Sequence, residues 1–411
     1  MRRKSKIFYF VDDIGTSFVI KDIHFLAKKY ENIYLFSIEI LDNKGTLPAN
    51  VHVIEGFMNW KNYNKFSILF SNFFQILNIY LLESYKLRKF LSLKKSFALL
   101  SSNIFKANEI NRHLKGLNIQ ISNSDLFYSF WFYDCIYLAW LKMHNRNLKV
   151  ITRTHSGDLY EDHISIRNNL LFRNFQMVYL DAVFPVSNMG TAYLANKYPL
   201  FKNKIKTVFL GTEDRKTLNP FNPERFVIVS CASFRHHKRI HKIAESLLDI
   251  NFPLTWYHFG NENLHTTDPK IQEYIERKEQ LKLKSNINFV PMGYTENEAV
   301  LDFYTNNSVN LFVSLSAAEG IPVSIMEAIS FGIPVLSTNV GGCSEIVNEQ
   351  TGILIPLNTT CKEVANLLLE FKNSNKNDLQ YRNSVRDFWL QYFDENKNYS
   401  MFINEIDSIT K

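Results

Sequence analysis

Short, nearly continuous apolar runs rich in Ile, Val, Phe and Leu alternate along this chain with longer stretches of mixed polar and apolar residues. A run without polar alternation is the pattern of a strand buried on both faces, as in a parallel sheet, and the intervening stretches are long enough for helices that cover those faces. The runs predict strands at Lys6–Phe10, Ile33–Ile38, Leu148–Thr152, Ala182–Pro185, Lys206–Phe209, Phe226–Ala232, Thr255–Phe259, Ile287–Phe289, Val309–Leu315 and Val335–Ser337, with a helix at Phe18–Lys29. Such alternation argues for an α/β fold built on parallel sheets wound with helices. At 411 residues the chain exceeds the roughly 250–300 at which a single core stops growing, so two domains are the default. Thr212–Arg225 carries Pro220, Asn222 and Pro223 without apolar periodicity and is the best interdomain linker.

The stretch Ser314–Val347, SLSAAEGIPVSIMEAISFGIPVLSTNVGGCSEIV, holds the most chemistry. Pro322 suits the first position of a helix, where its missing N–H costs nothing, and Gly332 with Pro334 supplies the stop, so Pro322–Phe331 is predicted helical. Val323, Ile325, Met326, Ala328 and Ile329 make that helix apolar on nearly every face, as for a helix buried in a large protein. Glu327 is its one ionisable group, and a buried carboxylate is expensive unless donors meet it. A ribose offers two adjacent hydroxyls. Glu319 falls in the strand-to-helix loop, beside N–H groups that favour an anion such as a diphosphate. The residues alone equally allow Glu319 to complement the helix dipole and Glu327 to pair with a buried Lys or Arg.

E-G-x-P-x-x-x-x-E-A, a small residue, G-x-P-V and V-G-G-x-x-E-I-V, as they stand at Glu319 to Val347, resemble the signature of the retaining family-4 glycosyltransferases of the GT-B fold. The family's E-x7-E pair falls on Glu319 and Glu327, with Gly320, Pro322, Ala328, Gly332, Pro334, Gly341, Gly342, Glu345 and Gly352 in its order and spacing. Tyr128–Trp131 (YSFW), Thr152–Tyr160 (TRTHSGDLY), Leu210-Gly211, Val229–Ile240 (VSCASFRHHKRI), Trp256–Gly260 (WYHFG) and the tail Phe388–Phe402 are similar to the branch that builds bacterial surface polysaccharides.

The resemblance implies two Rossmann-like doubly wound domains facing across a cleft: an acceptor-binding domain of residues 1–212 with a crossover helix from about 395 to 411, and a nucleotide-sugar-binding domain of residues 213–394. In open sheets of this kind ligands bind beyond the carboxyl ends of strands. Donor binding is expected from Gly15 and Thr16 in the first strand-to-helix loop, from Ser233, Arg235 and Arg239, and from Gly320, Ile321, Pro322, Val323 and Glu327. On the residues alone Thr16 or Ser17 serves equally well as a helix N-cap. The family usually carries S-E-T-F where this chain has Gly15-Thr16-Ser17-Phe18, so a glutamate is missing there. It also carries an arginine five residues before the lysine that matches Lys238, where this chain has Ser233; Arg235 and Arg239 are the candidate substitutes. His236 and His237 read as surface residues of that loop.

The catalytic set implied is His155, Glu319 and Lys238, with Asp158 and Arg153 on the acceptor side. Lysine neutralises a diphosphate leaving group as a point charge, His155 hydrogen-bonds the transferred sugar, and the glutamates bind sugar and ribose hydroxyls. The expected reaction moves a sugar from a nucleoside diphosphate sugar, a substrate rather than a cofactor, to a hydroxyl of a lipid-linked or oligosaccharide acceptor with retention, by same-face substitution. No Asp-x-Asp accompanies the motifs, so metal independence is expected. An epimerase or phosphorylase on the same fold, or a non-catalytic assembly subunit, are the alternatives.

Composition adds limits. Net charge is +7 with a pI near 8.9, which permits attraction to anionic membranes or phosphorylated substrates; nucleic acid is the poorer reading because no motif accompanies the charge. Cys135, Cys231, Cys343 and Cys361 have no metal-like spacing, as expected for reduced thiols of the cytosol. Asp12 and Asp13 cut the first apolar run short of a signal-peptide core. Phe66–Leu82 is interrupted by Ser71, Asn72, Gln75 and Asn78 before the ~18 apolar residues that a spanning helix needs. Residues 83–96 interleave Lys86, Arg88, Lys89, Lys94 and Lys95 with aromatic and aliphatic side chains, a helix suited either to the inner face of a membrane or to a solvated protein face.

Overall fold

The computed structural model describes residues 3–12, 17–38, 47–133, 135–161, 171–261 and 269–410. The chain divides into two compact units, Met1–Val208 with Ser400–Lys411, and Phe209–Tyr399.

In the first unit β1 (Arg3–Val11), β2 (Tyr30–Ser37), β3 (Val51–Glu55), β4 (Leu126–Ser129), β5 (Lys149–Thr154) and β6 (Ala182–Pro185) form one parallel sheet in the order β3-β2-β1-β4-β5-β6. The central run of β1 has no polar side because neither of its faces meets water. Phe8 and Phe10 pack on Phe127 and Phe36, while Tyr9, pointing the other way, packs on Tyr128. Tyr128 and Phe184 in turn meet Phe402 of the last helix, Glu395–Thr410.

In the second unit β7 (Val227–Cys231), β8 (Leu254–Phe259), β9 (Ile287–Gly293), β10 (Leu311–Ser314), β11 (Val335–Thr338) and β12 (Gly352–Ile355) form another parallel sheet, ordered β12-β11-β10-β7-β8-β9. In both sheets chain order reverses beside the first strand, between β1 and β4 and between β7 and β10. Such a switch point opens a crevice at the strands' carboxyl ends, because the helices that follow its two strands diverge to opposite faces. These are the two parallel, doubly wound sheets of the expected α/β class.

Three expectations are corrected. Lys206–Phe209 is no strand of its own: Lys206 and Val208 donate to Val183 and Pro185 alongside β6, and pairing stops at that single edge. Strands β3, β4 and β12, each only four or five residues long, were not anticipated. Thr212–Arg225 lacks regular structure but is no loose linker. Asn219 within it is buried, donates to the carbonyls of Tyr304 and Asn307, and accepts from Val309 N and Arg382, which pins the segment into the second unit.

No single helix among the described residues is long and apolar enough to cross a membrane; by length and composition only, the pair Lys65–Ser71 and Phe73–Leu87, bent by 82°, passes as one.

Candidate functional site

At the β7/β10 switch point three loops are tied together. The loop after β7 runs through a short 3-10 turn, His236–Lys238, to Arg239 in the left-handed region (φ 51°), and the helix Ile240–Leu248 follows. Ala317 N, after β10, donates to the carbonyl of His237 at 2.6 Å. Across that junction Lys238 Nζ meets Glu319 Oε1 at 2.6 Å, with side chains 23% and 10% exposed. Residues 81 positions apart in sequence thus form one ion pair because their strands are neighbours.

The loop after β11 explains the paired glycines. Gly341 has φ 51°, and a Cβ there would lie 1.8 Å from the carbonyl oxygen of Glu319. Gly342 N donates to the carbonyl of Gly320 at 2.5 Å, where a Cβ on Gly342 would also collide. Only glycine permits this backbone contact, and the contact holds the Glu319-Gly320 loop in place.

Helix Val323–Ser330 starts at Pro322, which caps it without a side-chain hydrogen bond. Gly320 is half-buried and Ile321 and Pro322 are buried. Val323 and Glu327, one turn apart, are half-buried, whereas Ile325, Met326, Ala328 and Ile329 are fully buried. The expectation of a helix apolar and buried on nearly every face is therefore corrected: one stripe opens outward, and Glu327 sits on it. Its Oε1 accepts from the neutral amide of Asn297, 2.8 Å away. Cys231 at the end of β7 is pushed up to about 12 by burial, with the charge of Glu327 acting the same way, so it stays a thiol.

Of the basic candidates, Arg239 donates to the carbonyl of Leu357 at 3.0 Å, and burial lowers its pKa from the ordinary arginine value. Ser233 and Arg235 are exposed. Arg235 is thus the better placed of the two substitutes for the missing arginine. Gly15 and Thr16 lie outside the described residues.

In the first unit His155 follows β5, next to the β1/β4 switch point. Its ring lies against Phe130 and Trp131 at centroid distances of 4.7 and 4.5 Å, and both ring nitrogens are buried with no hydrogen-bond partner. Burial first, and then the charge of Arg153, push its pKa down to about 3, so the imidazole is neutral at physiological pH. A neutral imidazole offers one donor and one acceptor.

Arg153 and Asp158, expected on the acceptor side, lie in the interior instead. Arg153 is fully buried, bonds Asp22 at 2.9 Å and lies over the ring of Phe402. Asp158 accepts from Phe132 N (2.5 Å), Thr154 Oγ1 (2.9 Å) and His155 N (2.6 Å), and burial pushes it up to about 6 against those bonds. Arg173 donates to the carbonyl of Asp158 and stacks on Phe132. These charges hold the backbone that presents His155. Gly157 follows the same logic: a Cβ there would lie 2.8 Å from the Tyr133 hydroxyl.

Sequence reasoning missed Asn297, which comes from a helix with no motif of its own, and assigned no role to Phe130, Trp131 or Tyr133. The Y-S-F-W match at Tyr128–Trp131 was the signal available. Among the described residues no group of three or more His, Cys, Asp or Glu is placed to hold a metal ion.

Residues 212–388 match the family model described as glycosyl transferases group 1. The chain is similar to the O-antigen biosynthesis glycosyltransferase WbnH of Escherichia coli, 38% identical over 84 residues that cover 20% of this chain and 22% of that protein. It is also similar to the lipopolysaccharide core biosynthesis mannosyltransferase LpsB of Rhizobium meliloti (strain 1021), 27% identical over 202 residues, 46% of this chain and 55% of that protein. The matched stretch thus spans about a fifth of the one relative and about half of the other. In three dimensions the chain resembles Anabaena Alr3699/HepE, solved in complex with UDP, with TM-score 0.69 and 13% identity over 99% of this chain and 100% of that one. The fold is GT-B, and the match to the glycosyl transferases group 1 model falls on residues 212–388, which hold the β7–β12 sheet.

Proposed function

We propose that this protein is a retaining glycosyltransferase that moves a sugar from a nucleoside diphosphate sugar to a hydroxyl of a growing, lipid-linked bacterial surface glycan such as an O-antigen, capsule or exopolysaccharide. The observation that carries this reading is the 2.6 Å Lys238–Glu319 pair at the β7/β10 switch point. An ammonium there neutralises the charge that builds on a departing diphosphate, and the carboxylate beside it accepts hydrogen bonds from sugar hydroxyls. Glu327 on the open stripe of its helix takes the ribose, and Arg235 supplements Lys238. The unpartnered, neutral imidazole of His155 suits a hydroxyl of the transferred sugar, because it can donate or accept without adding charge. The surface-glycan setting is supported by relatives named for O-antigen and lipopolysaccharide core biosynthesis, and a nucleotide donor by the UDP bound to the structural neighbour.

Retention here proceeds by same-face substitution. As the anomeric C–O bond to the diphosphate breaks, the acceptor oxygen bonds to the same face of that carbon and its proton passes to the departing phosphate oxygen. Lys238 and the N–H groups at the start of helix Val323–Ser330 stabilise the phosphate charge, so catalysis is chiefly positioning and electrostatics without a metal. The exposed Ser233, in place of an arginine, favours the rival reading of a non-catalytic assembly subunit.

A thermal-shift screen against UDP, GDP, ADP and CDP sugars should select one nucleotide. Glu327→Ala should then weaken binding of that nucleotide by about 10- to 100-fold, the value of hydrogen bonds to a charged group, with the fold intact. Unchanged affinity overturns the ribose role. Product of retained anomeric configuration, read by NMR, supports transfer; donor turnover without acceptor or with phosphate alone points to an epimerase or phosphorylase, and nucleotide binding without turnover to the assembly subunit.

A further inference from the structure

The surface of the first unit between residues 60 and 95 differs from the rest of the chain. Helices Lys65–Ser71 and Phe73–Leu87 turn one face inward through Ile68, Ile76, Ile79 and Tyr80. Their other face carries Phe66, Phe70, Phe74 and Tyr85, and the loop beyond them adds Phe90; each of these rings is 78–90% exposed. Apolar patches of more than a few hundred Å² are rare on soluble monomers and mark interaction surfaces. The basic, aromatic segment 83–96 is not the single helix expected. It breaks at Arg88, in the left-handed region (φ 50°), and a new helix starts at Leu93. The break leaves Lys86 in the last turn of its helix and puts Arg88 and Lys89 in the turn beyond it.

The charge on this surface has one sign. Lys61, Lys86, Arg88, Lys89, Lys94 and Lys95 are exposed, and among the described residues none of them is ion-paired. Glu83 is the one carboxylate in the segment, and it is only 1% exposed, with its oxygens bonded to the N–H groups of Asn174 and Phe175. A trough of about 800 Å³ is lined by Leu81, Tyr85 and Phe90 together with Lys86, Arg88 and Lys89. The hydroxyl of Ser84, which also lines the trough, is buried and has no hydrogen-bond partner.

Exposed rings beside unpaired cations, with no exposed carboxylate in residues 60–95, match the two layers of a bilayer containing acidic lipid: acyl chains for the rings and phosphates for the ammonium and guanidinium groups. We propose that residues 60–95 dock this protein onto an anionic lipid bilayer, the trough receiving a lipid phosphate against Arg88, Lys89 and the Ser84 hydroxyl. The proposal is independent of the transfer reading, because none of these residues belongs to either candidate site.

Co-sedimentation of the full chain with phosphatidylcholine vesicles, with and without phosphatidylglycerol, tests it. Binding should require phosphatidylglycerol and weaken with added salt. Replacing three surface cations together (Lys86→Gln, Arg88→Gln, Lys89→Gln) should weaken it by about 100-fold, at about fivefold per charge. Phe70→Ser with Phe74→Ser should abolish binding at low salt, while the nucleotide-induced thermal shift stays unchanged in both variants. Equal binding to neutral vesicles, or binding indifferent to either variant, overturns the proposal. Self-association in size-exclusion chromatography that the Phe variant removes, with no vesicle binding by the unmodified chain, also overturns it, by making a second copy the occupant.

Discussion

The two units hold their candidate ligand groups at the same topological place, the carboxyl ends of strands beside a switch point, but they use opposite materials. In the second unit the presented groups are charged and partly open: Lys238 with Glu319 at 2.6 Å, and Glu327 on the outward stripe of its helix. In the first unit the charges are turned inward, Arg153 onto Asp22 and Asp158 onto three donors, and the presented group is an uncharged imidazole between Phe130 and Trp131. A site for a diphosphate needs fixed charge near water, whereas a site for a sugar hydroxyl needs a neutral partner in a dry, shaped wall. On the proposed function, the same charged residue types act as ligand groups in one unit and as scaffold in the other.

Five substitutions break or sharpen that contrast. The largest effect should come from Arg153→Met, which takes the guanidinium away from the buried carboxylate of Asp22 and should cost about 3–5 kcal/mol in chemical denaturation, with nucleotide affinity unchanged. A stable variant that loses transfer would return Arg153 to the acceptor side. Lys238→Ala should behave in the converse way, with kcat down by about 10²–10³ and little change in Tm; kinetics beside calorimetry will separate the two. Glu327→Ala comes next, with its loss of nucleotide affinity.

The smallest effect is a pH dependence in the first unit. Folded His155 titrates at about 3 against an ordinary 6.5, so between those values the unfolded chain binds the extra proton, and stability is lost as pH falls through 6.5. His155→Gln should keep more of its neutral-pH stability at about pH 5 than the unmodified protein does. Asp158 acts in the opposite sense. Its folded pKa near 6 lies above the ordinary 3.8, so it contributes stability at low pH that is lost as pH rises through 6, and Asp158→Asn should steepen the acid loss. Urea titrations at two pH values would read both, and parallel pH profiles for all three proteins would remove the distinction drawn between scaffold and presented group.

Legibility in the sequence followed the same division. The second unit's site was readable because its parts lie in one contiguous motif whose glycines and proline have local backbone reasons: Pro322 opens the helix, and Gly341 must adopt φ 51° against Glu319. The outward stripe of the Glu327 helix was misjudged, since side-chain type along one helix does not reveal which neighbours leave a face open. In the first unit His155 could be nominated from its place after a strand, but the cage around it is assembled from β4 and β5, which are separated by the helix Ile136–His144 and the turns beside it. The burial of Arg153 was not legible because its guanidinium is covered by Phe402 of the last helix, a contact that no local pattern reveals.

The sequence by itself determined the parallel α/β class, most strand positions and the helix at Glu327, because propensity, periodicity and backbone stops act over a few neighbouring residues. Only the tertiary structure decided which charges became scaffold, that Lys238 meets Glu319, and that the rings and cations of residues 60–95 lie outside with their single carboxylate inside. Those outcomes depend on strand order and on what covers each face, and both are set by contacts between segments that lie far apart along the chain.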